Sequence, residues 1–213
     1  MTCEAMRIEK IPSAREIRDF HDAMAEKEGY QLRMYAPQHQ PHQGWRLGQL
    51  KALLEPMLPH CPKVLEVGCA DGMFTPWLAE RAQEVVAIDI VPVCIERCQA
   101  LGLANVTFIL GEVKAVKDTD FDLALACEVL EHCLDPEKEM ARLREKAEII
   151  VASVPITETP NEDAFNIDRY WHPQKPGDGS GHIFCFREDT FKALFEEIYQ
   201  YETDGISAII VGR

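Results

Sequence analysis

Lys63-Val64-Leu65-Glu66-Val67-Gly68-Cys69-Ala70-Asp71-Gly72-Met73-Phe74-Thr75 decides how the rest of this chain is read. Val64, Leu65 and Val67 form a short apolar run of the kind that is buried on both faces in a parallel sheet. Gly68 and Gly72 bracket a tight turn, where the lack of a Cβ lets the backbone bend sharply and come close to a ligand. The helix that begins after the turn aims its free N–H groups and positive dipole end back at it.

The spacing narrows what such a turn holds. A dinucleotide fingerprint needs G-x-G-x-x-G, and a phosphate loop needs Gly-Lys-Ser/Thr. Here the pattern is Glu66-x-Gly68-x-Ala70-x-Gly72, with the last glycine one residue early for the first and no lysine for the second. A second apolar run, Glu84 to Ile90, carries Asp89 about twenty residues further on, where an acidic side chain can accept both hydroxyls of a ribose. Together these features resemble motif I and the following acidic position of the class I S-adenosylmethionine (SAM)-dependent methyltransferases, with Ala70 in place of the middle glycine.

Outward from this core the chain alternates strand and helix. Strands are expected at 63–67, 84–89, 105–110, 121–127 and 147–154, and a terminal strand at Ile206 to Val211. Helices are expected at 73–82, at Val93 to Leu101 with Cys94, Cys98 and Leu101 on one face, after Asp135-Pro136, and from Arg187 to Ile198 on the spacing of Phe191, Leu194, Phe195 and Ile198. Such alternation predicts a mostly parallel sheet covered on both faces. The resemblance implies a Rossmann-like, seven-stranded α/β methyltransferase domain over residues 60–213. Residues 1–59 are expected to form an N-terminal helical cap. It starts with a capping box at Ser13 and Glu16, with Ile17, Phe20 and Met24 on its buried stripe. A second helix carries Trp45, Leu47, Leu50 and Leu54 and stops at Pro56. The aperiodic stretch from Gly29 to Gly44, with Tyr30 and Tyr35, reads as a surface loop or a lid.

Composition narrows the function. A net charge of -14 disfavours nucleic acid, whose phosphates demand a basic face. No apolar run is long enough to span a membrane, and the first residues lack the apolar core of a signal peptide. The eight cysteines form no C-x-x-C pair and read as reduced thiols of a cytoplasmic protein. Nothing in the sequence fixes the oligomeric state.

Ligands in open α/β sheets bind beyond the carboxyl ends of the strands, where strand order reverses. The segment after the fourth strand, Glu128-Val129-Leu130-Glu131-His132, therefore faces the site. It resembles the E-V-L-E-H segment of small-molecule methyltransferases of the ubiquinone-biosynthesis O-methyltransferase type. The resemblance implies SAM as cofactor and Glu66, Gly68, Cys69, Ala70, Asp71, Gly72, Asp89, Ile90, Glu112, Val113, Cys127 and Glu128 as its contacts, with Glu112 near the adenine. His132, assisted by Glu131, is the candidate base for a hydroxyl acceptor, since imidazole titrates near neutral pH. The loop from Pro155 to His182 is expected to build the acceptor pocket, with Tyr170 and Trp171 as an apolar wall and Asp168, Arg169 and His172 as polar contacts, joined by Tyr30 and Tyr35. The leading reading is methyl transfer to a small-molecule oxygen without a metal. An alternative resembles the small-RNA terminal 2′-O-methyltransferases, with Mg²⁺ or Mn²⁺ on Glu128, Glu131, His132 and His182. A third is a non-catalytic partner subunit that keeps the fold.

Overall fold

The computed structural model describes residues 6–7, 12–26, 41–156 and 181–213. Its centre is a seven-stranded sheet: β1 (Lys63–Val67), β2 (Glu84–Asp89), β3 (Val106–Leu110), β4 (Phe121–Cys127), β5 (Ala147–Pro155), β6 (Ile198–Thr203) and β7 (Ser207–Gly212). The strands lie side by side as β3-β2-β1-β4-β5-β7-β6. The first five are parallel, and β7 runs antiparallel to both β5 and β6. The order reverses between β1 and β4, which opens a crevice at their carboxyl ends.

Alternation along each central strand feeds two cores. Leu65, Ala124, Ala126, Ile150 and Ala152 point to one face, where they meet Phe20 and Met24 of α1 (Ala14–Ala25) and Met140 and Leu143 of α5 (Pro136–Lys146). Val64, Leu123, Leu125, Val151 and Ile209 point to the other, against Leu50 and Leu54 of α2 (Pro41–Leu54), Leu78 of α3 (Thr75–Ala79) and Cys98 of α4 (Pro92–Gln99). Burial on both faces explains why these strands read as unbroken apolar runs.

The first five strands, the Ser13–Glu16 capping box and the Asp135 cap of α5 fall where the sequence placed them, within a residue or two. Four expectations differ. The helix expected at 73–82 is only α3, Thr75–Ala79. The helix expected from Arg187 to Ile198 is only α6, Glu188–Lys192. Ile198 instead opens β6, which turns through Asp204-Gly205 to pair with β7. An Asp-Gly pair between two β-prone runs is a hairpin signal, and here it outweighed a helical spacing in which Phe191, Leu194 and Phe195 are all buried. Leu101 lies past the end of α4 and is exposed, so it does not share the buried face of Cys94 and Cys98. Finally, α2 begins at Pro41, so residues 41–44 of the expected loop are helical. The rest of that loop, with Tyr30 and Tyr35, lies outside the described residues. So do Asp168, Arg169, Tyr170, Trp171 and His172.

Candidate active site

A cavity of about 900 Å³ opens at the carboxyl ends of β1 and β4. Its floor at one end is the glycine turn. Gly68 and Gly72 have φ of 73° and 80°, and Ala70 has φ 44°, a left-handed conformation that costs an L-residue of order 1–2 kcal/mol. Two contacts hold Ala70 there. Asp89 Oδ2 accepts from the Ala70 amide at 2.9 Å, and the Ala70 carbonyl accepts from Cys98 Sγ at 3.0 Å. Asp89 Oδ1 accepts from the Val91 amide at 2.9 Å. Each carboxylate oxygen keeps a further lone pair for a ligand hydroxyl. Burial at the end of β2 raises the Asp89 pKa, against these amide hydrogen bonds.

Glu66 and Cys69 sit behind the turn. Both are buried and line a small separate pocket instead of the main cavity. Glu66 Oε2 accepts from Thr75 Oγ1 at 2.7 Å, which ties the end of β1 to the start of α3. Burial pushes its pKa up to about 8. Asp71 faces the cavity. Its Oδ1 pairs with Arg97 at 3.0 Å, and the same guanidinium nitrogen donates to the Ala25 carbonyl at 2.8 Å, joining the turn, α4 and the end of α1. Asp71 Oδ2 is buried with no hydrogen-bond partner among the described residues. Along the cavity wall, Ile90 is half-buried, Val113 is buried, and Glu112 pairs with Lys114 at 2.7 Å.

At the end of β4 the backbone turns through Glu128, whose φ of 55° is unusual for a side chain of this size. Ser153 Oγ donates to Glu128 Oε1 at 3.0 Å and lies 3.3 Å from Cys127 Sγ. Arg46, 2 % exposed on α2, meets Glu128 Oε2 at 2.5 Å. Arg46 was not singled out in the sequence. Its spacing could have revealed it, since Arg46, Leu50 and Leu54 are four apart and share the buried side.

The far end of the cavity gathers imidazoles. Glu131 is 1 % exposed, and neither of its carboxylate oxygens has a hydrogen-bond partner among the described residues. Its Oε1 lies 3.8 Å from His132 Nε2. The Ile183 amide donates to the Glu131 carbonyl at 2.7 Å, which draws the 181–183 segment against the cleft. The Gly181 carbonyl lies 3.0 Å from His132 Nδ1 and can only accept, so Nδ1 carries the proton and Nε2 keeps its lone pair. His182 and His21 flank His132, with ring centroids 4.9 and 4.8 Å away. Burial holds His132 down to about 4 and His21 to about 3, and pushes Glu131 well above the usual carboxylate range. His132 and His21 are therefore neutral near pH 7, and the 3.8 Å contact is not an ion pair. His21 was also missed, although it interrupts the apolar stripe of Ile17, Phe20 and Met24.

The turn has the shape and the open acceptors that an amino-acid-bearing nucleoside needs. A Cβ on Gly68 would meet Val129 Cγ2 at 2.7 Å, so the backbone approaches that wall as closely as it can. Asp89 offers lone pairs toward ribose hydroxyls, and the orphaned Asp71 oxygen is an acceptor for an ammonium group. A sequence model of the family described as Methyltransferase domain matches residues 14–199. Among curated proteins, the chain is 26 % identical over 129 residues to the O-antigen chain terminator bifunctional methyltransferase/kinase WbdD of Escherichia coli, covering 54 % of this chain and 17 % of that one. It is 34 % identical over 80 residues to a ubiquinone biosynthesis O-methyltransferase of Xylella fastidiosa, covering 35 % and 32 %. Nodulation protein S of Rhizobium tropici is 38 % identical over 69 residues, covering 31 % and 29 %. The matched segments thus span a third or less of each relative. The fold of the N-terminal domain of EvdMO1, solved in the presence of SAH and D-fucose, is similar at a TM-score of 0.59 and 18 % identity, covering 78 % of this chain and 81 % of that one. A methyltransferase structure from Mesorhizobium loti also matches at 0.59, with 16 % identity over 76 % and 96 % of the two chains. With the turn, the acidic end of β2, the strand order and the family match in agreement, this chain belongs to the class I SAM-dependent methyltransferases.

Proposed function

We propose that this domain transfers the methyl group of SAM to a hydroxyl oxygen of a small-molecule acceptor. When bound, SAM supplies a methyl group already activated on a sulfonium sulfur. The chain must then hold the acceptor in line, exclude water and take up the hydroxyl proton. The glycine turn, Asp89, Asp71, Ile90, Glu112 and Val113 would hold the cofactor, with Glu66 and Cys69 supporting the turn from behind and Cys127 and Glu128 closing its methionine end. The observation that carries the reading is the hydrogen bond from His132 Nδ1 to the Gly181 carbonyl. It leaves Nε2 as a lone-pair base inside a cleft that also holds the cofactor turn. Glu131, 3.8 Å away, would face the ring as it takes up the proton. The net charge of -14 favours a small molecule over nucleic acid, and Cys61, Cys69, Cys94, Cys98, Cys127 and Cys133 are free thiols, as in a reducing cytoplasm. Residues 12–26 and 41–54 would act as the cap over this cleft.

The test is transfer of label from methyl-labelled SAM to a panel of phenols, sugars, carboxylates and amines, with His132→Asn beside the wild type. The expected result is label on a hydroxyl, with kcat in the variant falling by about 10²–10⁴-fold while S-adenosylhomocysteine still binds. Label on an amine alone, or full activity in His132→Asn, rejects the oxygen-and-base reading.

A further inference from the structure

The two oxygens of Asp71 face different things. Oδ1 accepts from Arg97 Nη1 at 3.0 Å, while Oδ2 is buried with no hydrogen-bond partner among the described residues. A buried acceptor left unpaired bears the full cost of its lost hydration, so an empty cleft favours turning Asp71 out of this orientation and off Arg97. An ammonium group on Oδ2 removes that cost and keeps Oδ1 on Arg97. The guanidinium carries the constraint further, because the same nitrogen donates to the Ala25 carbonyl at the end of α1, 72 residues away in sequence. Ala25 also packs in one cluster with Val91, Cys94 and Ala70, so the end of α1 rests directly on the glycine turn.

The same helix builds the acceptor end. Ile17, Arg18 and His21 line the cavity, and the His21 and His132 rings meet edge to face with centroids 4.8 Å apart. Phe20 packs on Gly181 so closely that a Cβ there would overlap its ring. The Gly181 carbonyl in turn fixes the tautomer of His132. We propose that Arg97 is a positioning residue that couples the seating of the cofactor's ammonium group on Asp71 to the seating of α1 over the acceptor end, so that the cofactor binds before the acceptor. The inference rests on SAM occupying the glycine turn as proposed above. Arg97 does not itself line the cavity, so it acts through Asp71 and α1. The coupling is reciprocal: whatever the ammonium contributes to holding α1, a seated α1 returns to the binding of the ammonium.

The experiment follows amide hydrogen exchange along α1 in the full chain, free and saturated with S-adenosylhomocysteine or with methylthioadenosine, which keeps the adenine and ribose but lacks the amino-acid end. Calorimetry reports the binding of each. The expected result is exchange from α1 slowed about five-fold or more by S-adenosylhomocysteine and unchanged by methylthioadenosine. In Arg97→Met, S-adenosylhomocysteine still binds but no longer slows α1, and Arg97→Lys, which keeps a cation beside Asp71, recovers part of the effect. A purely structural Arg97 would change the exchange of the free chain and leave its response to ligand intact. The Arg97 side chain is 33 % exposed, which favours folding of the variants, and the two-ligand comparison in the wild type decides the matter without them. Equal slowing by both ligands, or full slowing in Arg97→Met, overturns the coupling and leaves the cofactor reading standing. Absence of S-adenosylhomocysteine binding in the wild type overturns both.

Discussion

Asp89 Oδ2 and the amide of Ala70 are joined at 2.9 Å across 19 residues of sequence, so the side chain proposed to hold the ribose also holds the turn that would cradle the rest of the cofactor. The same carboxylate caps the Val91 amide at the entry to α4. Asp89→Ala therefore removes a ligand contact and releases a left-handed residue together. Losing hydrogen bonds to a charged acceptor costs ~1.5–3 kcal/mol, so affinity for S-adenosylhomocysteine should fall about ten- to a hundred-fold by calorimetry. Asp89→Asn keeps the shape and part of the acceptor capacity and should lose less. Equal affinity in Asp89→Ala and wild type would remove Asp89 from the site.

Arg46 and Glu128 form an ion pair between α2 and the end of β4, with Arg46 almost wholly out of water. Removing one member of a buried pair leaves the other charge unmatched, at a cost of about 3–5 kcal/mol. Arg46→Met should lower stability toward urea by that order. Adding Glu128→Gln should restore part of it, and a double-mutant cycle reads the coupling. Additive losses would show that the pair contributes only through packing.

Glu66 gives stability a pH dependence. Burial raises its folded pKa from 4.5 to about 8, so between those values the native state holds a proton that the unfolded chain has released. The native state is favoured fully below the unfolded value, and that advantage is lost as pH rises through about 8. The gap corresponds at most to on the order of 5 kcal/mol. The melting temperature should therefore fall as pH is raised from about 5 to 8, and Glu66→Gln should flatten that fall. Asp89, Glu128 and Glu131 are shifted in the same direction and will keep part of the slope. An identical slope in Glu66→Gln would mean that Glu66 is charged in the native protein.

The α/β architecture was legible because its signals are local. A strand buried on both faces must be apolar throughout, and a turn that packs against Val129 must be glycine, so Val64 to Gly68 could be read in isolation. The Asp204-Gly205 hairpin was equally local, but it competed with a helical spacing around Phe191. Only the antiparallel pairing of β6 with β7 settled which pattern governed residues 198–203.

Sequence alone determined the strand-turn-helix around Gly68, the acidic end of β2 and the Glu128 to His132 segment, because each is set by neighbours within a few residues. Tertiary structure decided which distant side chains join them. Arg46 reads as one more charge on an amphipathic helix until α2 packs against β7 and buries it beside Glu128. His21, His132 and His182 are separated by most of the chain, and only the closing of α1 and the 181–183 segment over the sheet brings their rings within 5 Å of His132. Burial of that kind depends on the whole fold, and it is what makes these histidines neutral and leaves Glu131 without a hydrogen-bond partner among the described residues.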